Sequence, residues 1–255
     1  MVTPTDTTDK KQPRDAANWA GQVSTLKVAD APSGAVNLVE GRQLSGPLQG
    51  FGPMWQKTYS VRLTGITLTP SDVIKAWKEN FPTFWPPGNR FYGPITGIAP
   101  GEVALISMAV PGGSRLPNEM KLSTGVMVLY ADDESFTFMT PEGHMFAGWI
   151  TFSAYKREGS VVAQAQVLMR SSDPVLELMM RLGGHRQENT FWQKTLGNLA
   201  AHLGGEGEVE TQVVCVDSRV QWSQARNIKY NVIVRSTMYM MSAPARWVRK
   251  RRARG

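Results

Sequence analysis

The chain has 255 residues, 42% hydrophobic and 19% charged, with a formal net charge of +7. That composition argues against a chain disordered throughout and allows a sizeable core, while no run approaches the ~18 uninterrupted apolar residues of a membrane-spanning helix. A lone Cys215 excludes an internal disulfide framework and fits a reducing compartment; its expected place is a small, buried strand position.

Residues 1–18 read as a disordered leader, since Met1 to Arg14 is rich in Thr, Asp and Lys and lacks the apolar run of a secretory signal. Between residues 19 and 53, Val23 to Val28 and Val36 to Leu44 suggest short strands among Gly- and Pro-containing loops. From Trp55 the pattern sharpens: Tyr59, Val61 and Leu63 alternate with polar neighbours, the period of a half-buried strand. Thr69-Pro70-Ser71-Asp72 starts a helix, with Thr69 as cap, Pro70 at the first helical position and Asp72 as the capping-box acid. Val73, Ile74, Trp77 and Phe81 share one face of it, and Pro82 stops it.

A strand meander follows, at Val103 to Val110, Thr124 to Tyr130, Ser135 to Thr140, Trp149 to Tyr155 and Val161 to Arg170. Short turns such as Lys156-Arg157-Glu158-Gly159 imply antiparallel pairing. Ser172-Asp173-Pro174 opens a second helical stretch, Val175 to Leu203, which Gly183-Gly184 should bend and Gly204-Gly205 should end. A curved antiparallel sheet gripping that long helix buries one apolar face of each element, so the fold class is α+β. The domain is expected to span residues 19–205, followed by an extension over 206–255. There Val209 to Val216 reads as a strand, and residues 222–241 fit helix better than strand.

This order resembles the START-like, polyketide-cyclase-like (SRPBCC) superfamily over roughly residues 55 to 204. Phe138-Met139-Thr140-Pro141-Glu142-Gly143-His144, with Gly148 and Phe152, resembles the Thr-x-Pro-Gly-His signature of an uncharacterised bacterial branch, Glu142 being inserted between Pro141 and Gly143. The resemblance implies a helix-grip fold with a pocket between sheet and helix. It implies no reaction and no cofactor.

Candidate pocket residues are His144, Phe136, Phe138, Trp149, Phe152, Met179 and Trp192, aromatic and Met side chains suited to an apolar guest. Were the protein an enzyme of the cyclase, dehydratase or hydrolase kind, His144 would serve as acid or base with Glu142 or Tyr130 assisting. A turn histidine bonded to its own backbone is the competing reading. No metal-ligand spacing, nucleophile elbow or phosphate loop is present.

After Asp217 the chain carries ten basic residues and no acidic one, so 18 basic face 21 acidic side chains elsewhere, a balance of −3. The cluster Arg246, Trp247, Arg249, Lys250, Arg251, Arg252 and Arg254 can meet an anionic membrane surface. Nucleic acid is the less favoured partner. A solvated tail, or a homo-oligomer or assembly contact through residues 209–247, competes with both. The reading that results is a cytoplasmic, noncatalytic binder of a hydrophobic small molecule or lipid, touching the inner membrane face through its tail.

Overall fold

A computed structural model describes residues 16–28, 31–109 and 121–242. Eight antiparallel strands form one sheet: β1 (Met54–Leu63), β2 (Arg90–Tyr92), β3 (Val103–Ala109), β4 (Lys121–Ala131), β5 (Ser135–Met139), β6 (Phe146–Arg157), β7 (Ser160–Ser171) and β8 (Val209–Asp217), in the order β2-β3-β4-β5-β6-β7-β1-β8. Its concave face carries α1 (Pro70–Asn80) and, after the short α2 (Pro174–Met179), the long α3 (His185–His202). This is the helix-grip arrangement. A fourth helix, α4 (Val232–Met241), lies against the start of β4.

Local chemistry places these elements. The Thr69 side chain accepts from the Asp72 backbone N–H at 3.2 Å while Asp72 accepts from the Thr69 N–H at 2.8 Å, a closed capping box ahead of Pro70. Val73, Ile74, Trp77 and Phe81 are then buried on the sheet. Asp173 caps α2 through the N–H groups of Val175 and Leu176. Its other oxygen accepts from Asn231 at 2.7 Å, and Asn231 in turn caps α4. One buried carboxylate thus ties two helix starts together. Gly183, at φ 121°, breaks the helical stretch, and Met180–Gly184 forms a π-helical segment joining α2 to α3.

Two sequence expectations need correction. The strands expected within residues 19–53 do not form. Asn37 Oδ1 accepts from the N–H groups of Val39 and Glu40, turning the chain there, and only isolated bridges at Trp19 and Leu44 remain. The segment nevertheless packs Leu26 and Val39 on the convex face, against Leu105 and Met127. Cys215 is exposed rather than buried, because it lies toward the far end of β8, the last strand of the sheet, with no described strand beyond it. Residues 222–241 are helical, as Trp222–Tyr230 in 3-10 form and then α4. Val110, the leader up to residue 15 and the basic cluster from Arg246 to Arg254 lie outside the described residues.

Candidate functional site

Strand register organises the concave floor. One cross-strand row runs Phe138, Ile150, Val167, Lys57, Val213; the next runs Phe136, Phe152, Ala165, Tyr59, Thr211. The floor is therefore aromatic at its β5–β6 half and polar at its β1 half, with small β7 residues between. Over the aromatic half, Phe136 and Phe152 stack at 4.7 Å, Trp77 closes on them from α1 and Phe81 from just past its end, and Trp192 reaches Phe152 at 5.6 Å from α3.

Over the polar half lies a buried network. Lys57 Nζ donates to Glu188 Oε2 at 2.6 Å and to Asn189 Oδ1 at 3.0 Å, while the Tyr59 hydroxyl donates to Asn189 Oδ1 at 2.8 Å. Lys57 and Glu188 have side-chain exposures of 1% and 7%. Desolvation outweighs the attraction of Lys57 and raises the Glu188 carboxyl to about 7. Burial, with Glu188 nearby, also raises the Tyr59 phenol. His185, one turn before Asn189, packs edge-on to Trp55 at 5.1 Å; desolvation, then Lys57, lowers its imidazole.

This network is incompletely satisfied. Among the described residues, five buried side-chain polar atoms have no hydrogen-bond partner. Two lie in the polar half, the carboxylate oxygen Glu188 Oε1 and the ring nitrogen His185 Nδ1, whose role follows the tautomer, and two are indole N–H groups of the same interior, those of Trp77 and Trp85. A buried polar atom without a partner costs roughly 1–3 kcal/mol, so four in one interior call for a reason. The π-helical turn that precedes His185 belongs to a class of irregularity frequent at functional sites.

The candidates named from sequence divide sharply. Phe136, Phe138, Phe152 and Trp192 come together in the concave interior. Trp149 does not: β6 pairs with β7 without a bulge, so a residue three positions from Phe152 faces the convex side, where Trp149 is partly exposed. Met179 lies on the outer side of α2, 40% exposed. Tyr130 faces Trp19, and its hydroxyl donates to Asp132. Glu142 donates its backbone N–H to the Gln43 carbonyl.

His144 is held by its own turn. Its Nδ1 accepts from the Phe146 N–H at 3.0 Å, and burial lowers the imidazole to about 4. The surrounding signature is a clasp. Thr140 Oγ1 accepts from the Gly148 N–H at 3.0 Å, and a Cβ at Gly148 would come within 2.1 Å of the Leu168 carbonyl oxygen. Gly143, at φ 83°, leaves room for the Tyr230 carbonyl. These residues join the β5–β6 turn to its neighbours and bring no pair of reacting groups together.

Sequence reasoning missed Lys57, Glu188 and Asn189. The signal was present: Lys57 shares the inward parity of Tyr59, Val61 and Leu63, and Glu188 lies on the stripe of Trp192, Thr195 and Leu199. A charge on each of two apolar faces marks a pair.

Two surface cavities lie elsewhere. One, of about 460 Å³, sits between Gln43, Gln49, Glu142, Gln224, Arg226 and Lys229; the other, of about 130 Å³, lies beside Arg62, Arg157 and Glu210. No group of three or more His, Cys, Asp or Glu among the described residues could hold a metal ion, and no described helix is long and apolar enough to cross a membrane.

No protein-family model and no curated protein matches the chain. Solved structures similar to it include Ms6760 from Mycobacterium smegmatis, 11% identical with a TM-score of 0.40, covering 64% of this chain and 96% of that one. Ara h 8.0201 is 10% identical with a TM-score of 0.40, over 59% and 97% of the two chains. The di-domain ARO/CYC StfQ from the steffimycin biosynthetic pathway is 10% identical with a TM-score of 0.42, over 60% of this chain and 51% of that one. The helix-grip assignment rests on this chain's own strand order and the seat of α3.

Proposed function

We propose that this helix-grip protein binds a small amphipathic molecule between its sheet and α3, with the molecule's hydrogen-bond-donating head at Glu188 and its apolar body toward Phe136 and Phe152. The observation that carries the reading is the unpartnered, buried Glu188 Oε1, on the same helix as the unpartnered His185 Nδ1 and at the polar end of an otherwise aromatic floor. A hydroxyl or amine supplies the missing donor, whereas a plain hydrocarbon leaves Glu188 Oε1 bare. Aromatic side chains from α1 and α3 fill the apolar half, so a guest enters as α2 and α3 move apart at the π-helical hinge. Lys57 neutralises Glu188, Tyr59 and Asn189 fix its neighbours, and no reaction is required of them.

The test is head-group discrimination. Native mass spectrometry of the purified full chain with a long-chain alcohol and an alkane of equal carbon number is expected to show at least tenfold tighter binding of the alcohol. That corresponds to about 1.4 kcal/mol, near the net worth of one buried hydrogen bond. Equal binding of the two, or no binding of either, contradicts the reading.

A second reading, contact with an anionic membrane, is favoured by a separate observation. Val175, Leu178, Met179 and Leu182 are exposed on α2 and the hinge, as are Met238 and Met241 on α4, just ahead of the basic cluster at Arg246 to Arg254. Each basic residue near such a surface contributes about 1 kcal/mol. Flotation with phosphatidylserine vesicles is expected to carry the full chain at low salt, and to lose it at high salt or after removal of residues 243–255. Flotation unaffected by both changes contradicts it.

A further inference from the structure

The helix-grip layout is complete at α3, yet the chain adds one more strand to the sheet, and among the described residues that strand's outer edge is open. β8 pairs with β1 on one side only and stands last in the strand order. It has nine residues, no proline, and no inside-outside alternation of burial over its second half. By register, Val213 and Cys215 share the concave side with Lys57 and Trp55, Val214 opposite Gln56 points to the convex side, and Val216 is the extra residue of a bulge at the strand's end, between the Cys215–Trp55 and Asp217–Met54 pairs. All four are exposed. Apolar residues thus meet solvent on both faces of a long open edge. Edge strands that stay alone are short, charged, bulged or interrupted by proline; β2 at the opposite edge has three residues. Just past β8, Trp222 extends the apolar surface, 76% exposed and edge-on to Phe51.

We infer that β8 is a dimerisation edge, and that its occupant is a second copy of this chain paired antiparallel about a two-fold axis at Val214. Charge selects the occupant and its direction. Glu206, Glu208 and Glu210 precede the apolar run. After it, Asp217 is shared by Arg170 at 2.6 Å and Arg219 at 3.0 Å, which leaves that end net positive. An antiparallel copy sets acidic start against basic end twice over; a parallel copy sets like against like.

Register selects the axis. Centred on Val214, the strand faces Val214 with its own copy, Val213 with Cys215 and Gln212 with Val216. Centring on Val213 would oppose Glu210 to Val216, and centring on Cys215 would oppose Val213 to Asp217. Only the Val214 axis keeps carboxylates off the apolar pairs, and the self-complementary patch it makes is what a two-fold interface requires. The product is a continuous sixteen-stranded sheet, twice the eight of one chain.

Sedimentation velocity of the full-length chain at micromolar concentration is expected to show a dimer. Val214→Lys with Val216→Lys is expected to convert it to monomer without altering the far-ultraviolet circular dichroism, since both side chains are exposed. In a Cys215→Ser background, Val214→Cys is expected to form an interchain disulfide under mild oxidation, while Gln212→Cys, facing Val216, is not. A monomeric native chain overturns the inference, whether the edge is bare or covered by residues 243–255 of its own chain. A dimer that survives both lysines, or that cross-links equally from both cysteine positions, overturns it as well.

Discussion

Glu188 and His144 are buried titratable groups whose effects on stability run in opposite directions with pH. The folded chain holds the Glu188 proton up to about 7, against an ordinary value of 4.5. Its contribution is therefore complete below about pH 4.5 and is lost as pH rises toward 7, up to about 3 kcal/mol in all. His144 stays neutral in the fold down to about 4, against an ordinary value of 6.5. Its contribution is complete above about pH 6.5 and is lost as pH falls toward 4. Between about pH 4.5 and 6.5 the Glu188 and His144 slopes cancel, leaving the loss on acidification that the lowered His185 imidazole adds. The carboxylates held below their ordinary range, Asp72, Glu158 and Asp217, act at lower pH still. Urea unfolding of the native chain is expected to show only the shallow loss on acidification that His185 contributes across that window. Glu188→Gln is expected to unmask a loss of about 2 to 3 kcal/mol on acidification from pH 6.5 to 4.5. An equal loss in the native chain would mean that Glu188 ionises normally.

At the scale of the element, the hinge between α2 and α3 turns on one backbone angle. Gly183 sits at φ 121° with open space around its Cα, so any added side chain meets backbone strain and no neighbour. Gly183→Ala is expected to cost about 1–2 kcal/mol, read as a lower midpoint in thermal unfolding. An unchanged midpoint would show that the segment can become regular helix and that it is no hinge. The break was legible, because a Gly-Gly pair inside an apolar helical period has few other readings, and so were Thr69 and Asp173 as caps. The stretch over residues 19–53 was less so: Val36 to Leu44 has strand composition, but a single side-chain acceptor on Asn37 redirects the backbone there, and composition does not register such a bond. Parity was the tool left unused. Applied to β6 it puts Trp149 on the side opposite Phe152, and applied to β1 it puts Lys57 inside. Cys215 misled because small apolar residues are usually buried, whereas its strand is the last of the sheet and has no described strand beyond it.

Over the whole molecule, the sheet is a divider. Its concave side holds the aromatic core and the Lys57–Glu188 network under α1 and α3, and its convex side carries the packed segment around Leu26 and Val39. Arg170 binds the C-terminal extension to this body, donating to the Gly52 and Arg219 carbonyls and to Asp217. The overall plan could be read from element order, since a strand, a capped helix, a meander and a long helix have few ways to bury their apolar faces together. The polar end of the interior could not, because it needs Lys57 and Glu188, 131 residues apart in sequence, in one place. Replacing a buried ion pair by apolar residues of similar volume often leaves stability unchanged or improved, so Lys57→Met with Glu188→Leu should fold while erasing the polar end. The decisive measurement is the ratio of alcohol to alkane affinity in that double variant, set beside the native chain. The expected result is a native preference of at least tenfold that falls to parity in the variant; a preference that persists undiminished after both charges are gone would contradict the site.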